Sequence, residues 1–132
     1  MSEMDWLQMK RVMQKAGPYP VEAYQFIREG LAHTAKTIHG ERAGDADLPE
    51  DSRHISGQQL CLGLRDYAIK RYGLLARTVL KKWHIEGTED FGKIVYALVE
   101  AEEMRKSEGD SIDDFNNVFD FDEAFGDMQM RP

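Results

Sequence analysis

Apolar residues recur at helical spacing along most of the chain, and each run ends near glycine or proline. The first run, residues 4–15, predicts a short helix that stops within residues 16–20, where Gly and Pro follow each other. The second run predicts a helix from Pro20 that should end near Gly40. Residues 41–51 have no such periodicity and are rich in Gly, Ala, Asp and Pro, so they predict a loop.

Two later helix starts carry capping signals. Ser56 is followed by Gln59 in the pattern of a capping box, and the helix that it opens should stop at Gly73. Thr88 is the predicted N-cap of a strongly amphipathic helix further along. Between these two helices lies another short one, with its apolar positions at Leu75, Val79, Leu80 and Trp83.

Short apolar segments elsewhere predict a small amount of strand. Residues 53–55 predict one small strand, and residues 104–106 and 117–121 predict a hairpin whose long loop holds a helical turn at residues 111–115. One more helical turn is predicted around Ala124 and Phe125. The predicted fold class is mostly α (α+β), a helical domain with a small C-terminal β-hairpin. Its element order is winged-helix-like, and the alternative is an irregular helical bundle plus hairpin.

The apolar stripes of the helices also predict which side chains form the core. These residues are Tyr24, Phe26, Ile27, Leu31, Leu60, Leu64, Val79, Trp83, Phe91, Ile94, Val95 and Leu98.

Composition indicates one globular domain over residues 1–132, with an acidic tail from about residue 122. The chain is 42% apolar and 31% charged, a balance that excludes overall disorder. Cys61 is the only cysteine, which rules out an internal disulfide, and its apolar neighbours indicate a buried small hydrophobe. No signal peptide and no membrane-spanning apolar run is visible, so the expected location is the cytoplasm.

The net charge of −7 is unevenly distributed. Residues 1–56 hold seven Lys/Arg and nine Asp/Glu, a net of −2. Residues 57–87 hold six and two, a net of +4, and residues 88–132 hold four and thirteen, a net of −9. A basic middle is therefore followed by a strongly acidic end, and the two are expected either to face each other or to face partners.

Five segments together resemble those of one bacterial family, in the family's order and over nearly the whole chain after residue 18. They are Pro20-Val-Glu-Ala-Tyr-Gln-Phe-Ile, Arg53-His-Ile-Ser-Gly-Gln-Gln-Leu, Ala76-Arg-Thr-Val-Leu, Thr88-Glu-Asp-Phe-Gly-Lys-Ile-Val and Val118-Phe-Asp-Phe-Asp-Glu-Ala. The family comprises uncharacterised conserved hypothetical proteins restricted to the Planctomycetes and Verrucomicrobia. The resemblance implies a bacterial and complete chain, and it implies no activity, cofactor or catalytic residue.

A candidate anion or partner contact lies at the start of the helix capped by Ser56. Arg53 and His54 stand directly before this helix start, and helix N-termini bind anions. The alternative, which we favour, is that Arg53 and His54 are strand-end residues that bond the acidic hairpin. The histidine spacings match no metal motif, and the acidic residues after 110 lack the EF-hand pattern, so we predict no metal or cofactor.

A second candidate contact surface is the basic strip between residues 65 and 82. Aromatic residues are interleaved with it, as in a nucleic-acid footprint, but they follow the apolar stripe. The helix before the hairpin exposes mainly acidic residues, which phosphates would repel, so nucleic acid is disfavoured as a partner. The strip consists of Arg65, Lys70, Arg71, Arg77, Lys81 and Lys82.

No catalytic motif is recognisable: there is no nucleophile elbow and no phosphate-binding loop. The leading hypothesis, reached largely by elimination, is a non-catalytic interaction module that docks by charge complementarity with another protein or with a second copy. The alternatives are a winged-helix-like nucleic-acid-binding protein that uses the basic strip and an enzyme with no recognisable motif.

Overall fold

Five α-helices and three short helical turns make up the regular structure of residues 6–40 and 54–126, which are the residues described by the computed structural model. None of these helices is long and apolar enough to cross a membrane. The α-helices are α1 (Trp6–Ala16), α2 (Val21–His39), α3 (Gly57–Tyr72), α4 (Ala76–Lys82) and α5 (Thr88–Glu100). The turns are the 3₁₀ turns Gly73–Leu75 and Ile112–Phe115 and the π-helical turn Asp122–Gly126.

The ends of α2 and α3 confirm the predictions made at Gly40 and Gly73. Both glycines have positive φ, 59° and 55°, which a residue without a Cβ adopts at little cost. The amide of Gly40 donates to the carbonyl of Lys36, and the amide of Gly73 donates to the carbonyl of Ile69. Each helix is thus closed by a backbone hydrogen bond at the predicted residue.

Helices α2 and α3 approach each other closely because glycines lie at their contact. A Cβ added to Gly63 would overlap the hydroxyl of Thr34 and lie 2.6 Å from its Cγ2. A Cβ added to Gly30 would overlap the side chain of Leu64 in the same way. Thr34 is buried, and its hydroxyl donates to the carbonyl of Gly30 at 2.7 Å. The two glycines therefore set the distance between the helices.

The predicted core is confirmed. None of its twelve residues is exposed: Leu31, Val79 and Trp83 are partly buried, and the other nine are buried. Because a wrong helix phase would have turned several of these side chains to solvent, the result confirms the helical periodicity. Cys61 is also fully buried, as its apolar neighbours predicted.

The predicted β-hairpin is wrong, because no part of residues 6–40 and 54–126 is in a strand. The amides of Asn117 and Val118, which a hairpin would pair with a second strand, donate to the side chains of Glu89 and Thr88 instead, each at 3.1 Å. The hairpin that would form the wing of a winged-helix domain is therefore absent from the described residues. His54 and Ile55 are likewise outside any strand, and Arg53 lies outside the described residues.

The aromatic residues near the C-terminus show why their alternation misled the strand prediction. In a strand, Phe119 and Phe121 would lie on the same face because they are two residues apart, and this alternation is what predicts a strand. Here their rings stack at 5.4 Å with an interplanar angle of 13°, and the ring of Phe125 lies edge-on to both. The segment is therefore a folded aromatic cluster. The helical turns predicted at residues 111–115 and around Ala124 are confirmed by the observed 3₁₀ and π-helical turns.

The two predicted caps have different outcomes. Ser56 caps α3 as predicted: its hydroxyl accepts from the amide of Gln59 at 3.1 Å, and the Gln59 side chain accepts from the amide of Ser56 at 2.9 Å. Thr88 is not the N-cap of α5. It is the first residue of the helix, and the N-cap is Gly87. The carboxylate of Asp90 instead accepts from the amide of Gly87 at 3.2 Å, and Thr88 bonds to the C-terminal segment.

Candidate interaction surface

His54 is held by the segment that follows α5. Its Nε2 lies 3.2 Å from a carboxylate oxygen of Asp110, and its Nδ1 lies 3.0 Å from the hydroxyl of Ser107. Because a carboxylate can only accept, Nε2 donates to Asp110, and the Ser107 hydroxyl, which can donate or accept, shares the second hydrogen bond with Nδ1. Both ring nitrogens are therefore used within the chain. The acidic segment that His54 bonds is the predicted one, although it is not a hairpin.

The N-terminus of α3 is also occupied by the chain's own groups. The hydroxyl of Ser56 accepts from the amide of Gln59, and the side chain of Gln59 accepts from the amide of Ser56. The 3₁₀ turn Ile112–Phe115 covers Gly57 so closely that an added Cβ would lie 2.8 Å from the Cβ of Asp114. An anion at this end of α3 would meet the Asp114 carboxylate, so the arrangement supports a structural role.

The basic strip separates into two sets of residues. Arg77 and Arg65 contact the C-terminal segment: the Nε of Arg77 lies 3.5 Å from a carboxylate oxygen of Asp122, and the guanidinium groups lie 5.5 Å and 5.9 Å from the ring centres of Phe121 and Phe119. The remaining four residues are exposed and form no ion pair with any residue that the structure describes. They are Lys70, Arg71, Lys81 and Lys82.

Two leucines lie between these cations in the sequence, and both are exposed. Leu74 is 61% exposed and Leu75 is 62% exposed. Asp66 and Glu86 bracket the region, and no acidic residue lies between them in the sequence. We call this surface the α3–α4 patch and define it as Lys70, Arg71, Leu74, Leu75, Lys81 and Lys82.

Helical geometry places Leu75, the N-cap of α4, and Lys82 on one side of this helix. Leu75, Thr78 and Lys82 are three and four residues apart, so they follow one face of the helix. The sequence pattern had placed Leu75 among the inward positions, and this is wrong. Because α3 ends before Gly73 and α4 begins at Ala76, the buried stripe of α4 runs through Ala76 and Leu80 instead.

The aromatic residues of the basic strip belong to the core, as their spacing predicted. Tyr67, Tyr72 and Trp83 are partly buried, and their ring centres lie 5.7–6.4 Å from that of Phe26. One of these rings also contacts the patch, because the guanidinium of Arg71 lies 5.9 Å from the ring centre of Tyr72. The rings are thus partly covered on their inner side by the core rather than being free platforms for base stacking.

A groove with a volume of about 710 Å³ lies beside the patch. It runs between α1 and the first turns of α2, and the end of α4 forms one wall. Met13 and Tyr19 are buried at its floor, and Trp6 is 62% exposed at its mouth. Lys82 lines the groove and is also a member of the α3–α4 patch.

Two buried titratable side chains, Cys61 and Tyr19, have raised pKa values because of the way they are packed. Burial raises the pKa of the Cys61 thiol to about 12, so the thiol stays protonated and unreactive. Burial and a hydrogen bond donated to Asp90 raise the pKa of the Tyr19 hydroxyl. Within residues 6–40 and 54–126, no group of three or more His, Cys, Asp or Glu side chains is placed to hold a metal ion.

Comparison with known proteins gives no family: no protein-family model matches the chain, and no curated protein or solved structure is significantly similar to it.

Proposed function

We propose that the protein is a non-catalytic interaction module that docks an acidic surface of another protein on its α3–α4 patch. The observation that carries the proposal is the pair Leu74 and Leu75, each more than 60% exposed and flanked by exposed cations that form no ion pair with a described residue. An apolar centre with a charged rim is the usual composition of a docking surface.

Charge selects the kind of partner. The patch is basic within a chain of net charge −7, so an acidic partner is attracted at the patch and repelled elsewhere. The electrostatic field of this uneven charge distribution orients the approaching partner and raises its association rate. Nucleic acid is a weaker candidate, because the aromatic rings of the strip are partly buried against the core and the acidic surface of the chain repels phosphate.

A second copy of the chain is a less suitable partner than another protein. The acidic residues exposed after α5 include Glu102 and Glu108, and pairing these with the patch of a neighbouring copy would join two different surfaces. Contacts of that type are heterologous, so they extend from copy to copy unless the rotation happens to close a ring. Concentration-dependent growth in light scattering would identify this outcome.

Quantitative affinity capture from the native host, followed by mass spectrometry, tests the proposal. The patch variant carries Lys81→Glu and Lys82→Glu, and a second variant carries Leu74→Ser and Leu75→Ser. The matched control carries Arg11→Glu and Lys36→Glu, which make the same change of charge at exposed positions outside the patch.

The expected result is at least one acidic protein that the wild type and the control retain and that both patch variants lose by ~tenfold or more, which corresponds to about 1.4 kcal/mol. The purified partner should bind the purified wild type and the control, and it should bind both patch variants more weakly. If every recovered protein is retained equally by the patch variants, the patch is not a docking surface.

Cytoplasmic location and membership of the bacterial family that the sequence resembles stay predictions.

A further inference from the structure

The floor of the groove between α1 and α2 is apolar. Met13 is 1% exposed and Tyr19 is 5% exposed, and both line the groove. The hydroxyl of Tyr19 is already bonded to Asp90, so it offers no donor to a ligand. The indole of Trp6 adds an exposed ring at the mouth, with the ammonium group of Lys10 5.2 Å from the ring centre. The interior of the groove therefore suits an apolar side chain better than a polar small molecule.

The charged side chains at the rim of the groove are two lysines and one glutamate, a net charge of +1. Lys10 and Lys82 lie at its edges with His84, and Glu22 is the one carboxylate among the lining residues. Gln14 and Gln25 add side-chain amides, which can both donate to and accept from a peptide backbone. The rim therefore favours an acidic peptide over a basic one.

The position and size of the groove connect it to the patch. Lys82 belongs to both, so a segment docked along α4 reaches the groove without leaving the surface. Its volume of about 710 Å³ is larger than one aromatic side chain needs and lies within the range of roughly 300–1,000 Å³ typical of ligand sites.

We infer that the groove is a binding site for a bulky apolar side chain, aromatic or leucine, presented by an acidic peptide segment of the partner. The inference rests on the proposed function, because it assigns the chemistry of the same partner next to the patch. Aromatic anchors in pockets carry much of the binding energy at interfaces, so this site would set specificity while the patch sets orientation.

Selection from a displayed library of short random peptides against the purified protein tests the inference. In the groove-filling variant, Gln25→Trp places a ring in the groove from an exposed position of α2. The matched control Gln58→Trp changes an exposed glutamine of α3 that does not line the groove. Lys10→Glu and its neighbour Arg11→Glu form a second matched pair, and circular dichroism verifies the fold of each variant.

The selected peptides should be rich in Asp and Glu around one aromatic or leucine residue. Their affinity should fall ~tenfold or more with Gln25→Trp, with Lys10→Glu or on changing that residue to Ala, and the two controls should retain it. Failure to enrich any peptide overturns the inference, as do peptides without this composition and peptides that bind the groove-filled variant equally well.

The same peptides separate this inference from the proposed function. Peptides that bind Gln25→Trp more weakly, but bind Lys81→Glu and Leu75→Ser as well as the wild type, would support the groove as a site and contradict the patch. Peptides that respond only to Lys81→Glu and Leu75→Ser keep the patch and reject the groove.

Discussion

The hydroxyl of Thr88 donates to the carbonyl of Phe115 at 2.6 Å and so joins the first turn of α5 to the C-terminal segment. The same oxygen accepts from the amide of Val118 at 3.1 Å. Thr88 is fully buried, so one side chain satisfies two backbone groups that are turned into the interior.

Replacing Thr88 with valine is expected to lower the free energy of unfolding by about 2 kcal/mol. Valine keeps the shape but removes the hydroxyl, and an unsatisfied buried polar group costs roughly 1–3 kcal/mol. Thr88→Ser keeps the hydroxyl and should lose less. Urea denaturation of both variants measures the difference, and equal losses would show that the hydrogen bonds do not stabilise the segment.

Replacing Ser56 with alanine is expected to cost about 1 kcal/mol, the usual value for an N-cap. The change leaves the amide of Gln59 without its acceptor. Ser56→Asp restores an acceptor at the same position and should keep most of the stability. Thermal melts of the two variants test the capping box, and a melt of Ser56→Ala that matches the wild type would contradict it.

Replacing Gly63 with alanine is expected to destabilise the protein by about 1–3 kcal/mol, although alanine is the better helix former. The added Cβ overlaps the hydroxyl of Thr34 across the contact between α2 and α3. The double variant with Thr34→Ala makes room for the methyl group and should recover part of the loss. A double-mutant cycle measures this coupling, and strict additivity of the two losses would refute the close contact.

The protein is expected to lose stability at alkaline pH. The pKa of the Cys61 thiol is raised from 9.0 to about 12 in the folded chain, so the unfolded chain loses this proton first. The contribution of Cys61 to stability should be constant below about pH 9 and should be lost progressively towards pH 12, by up to ~1.4 kcal/mol per pH unit. Denaturation in urea across this range should show a shallower slope for Cys61→Ala, and an unchanged slope would contradict the assignment.

We expect no binding of DNA or RNA tighter than high micromolar at physiological salt. Phosphate contacts need basic residues, and the net charge of −7 opposes them. Fluorescence anisotropy with duplex and single-stranded probes over a salt series measures the affinity. Sub-micromolar, salt-sensitive binding that is lost in the variant with Arg71→Glu, Lys81→Glu and Lys82→Glu would replace the interaction module with a nucleic-acid-binding function.

Helix positions could be predicted from the sequence because local signals determine them. Gly40 and Gly73 end helices by their own backbone freedom, and Ser56 and Gln59 form a cap within one turn. Thr88 has the same local signal as Ser56, yet long-range bonds to the C-terminal segment use its hydroxyl. A single sequence does not show whether the hydroxyl of such a residue caps its own helix or bonds to a segment that is distant in the sequence.

The errors at the C-terminus and in the patch have a similar cause. Alternating Phe119 and Phe121 predict a strand, but their rings stack on each other within the aromatic cluster, and a strand does not form. The exposure of Leu74 and Leu75 follows from the change of helix phase at Gly73, which the pattern of apolar residues did not resolve. The cations of the patch were identified from charge alone, whereas the groove needs the packing of α1 on α2 and could not be found from the sequence.

The close contact between Gly63 and Thr34 links the amino acids that the two positions can hold as the protein evolves. A side chain that grows at one position requires a smaller one at the other, and the same exchange applies to Gly30 and Leu64. Homologous chains that keep this helix pair should therefore show compensating substitutions within each pair. A surface position such as Leu74 has no such constraint inside the fold, so its variation among homologues would report on the partner.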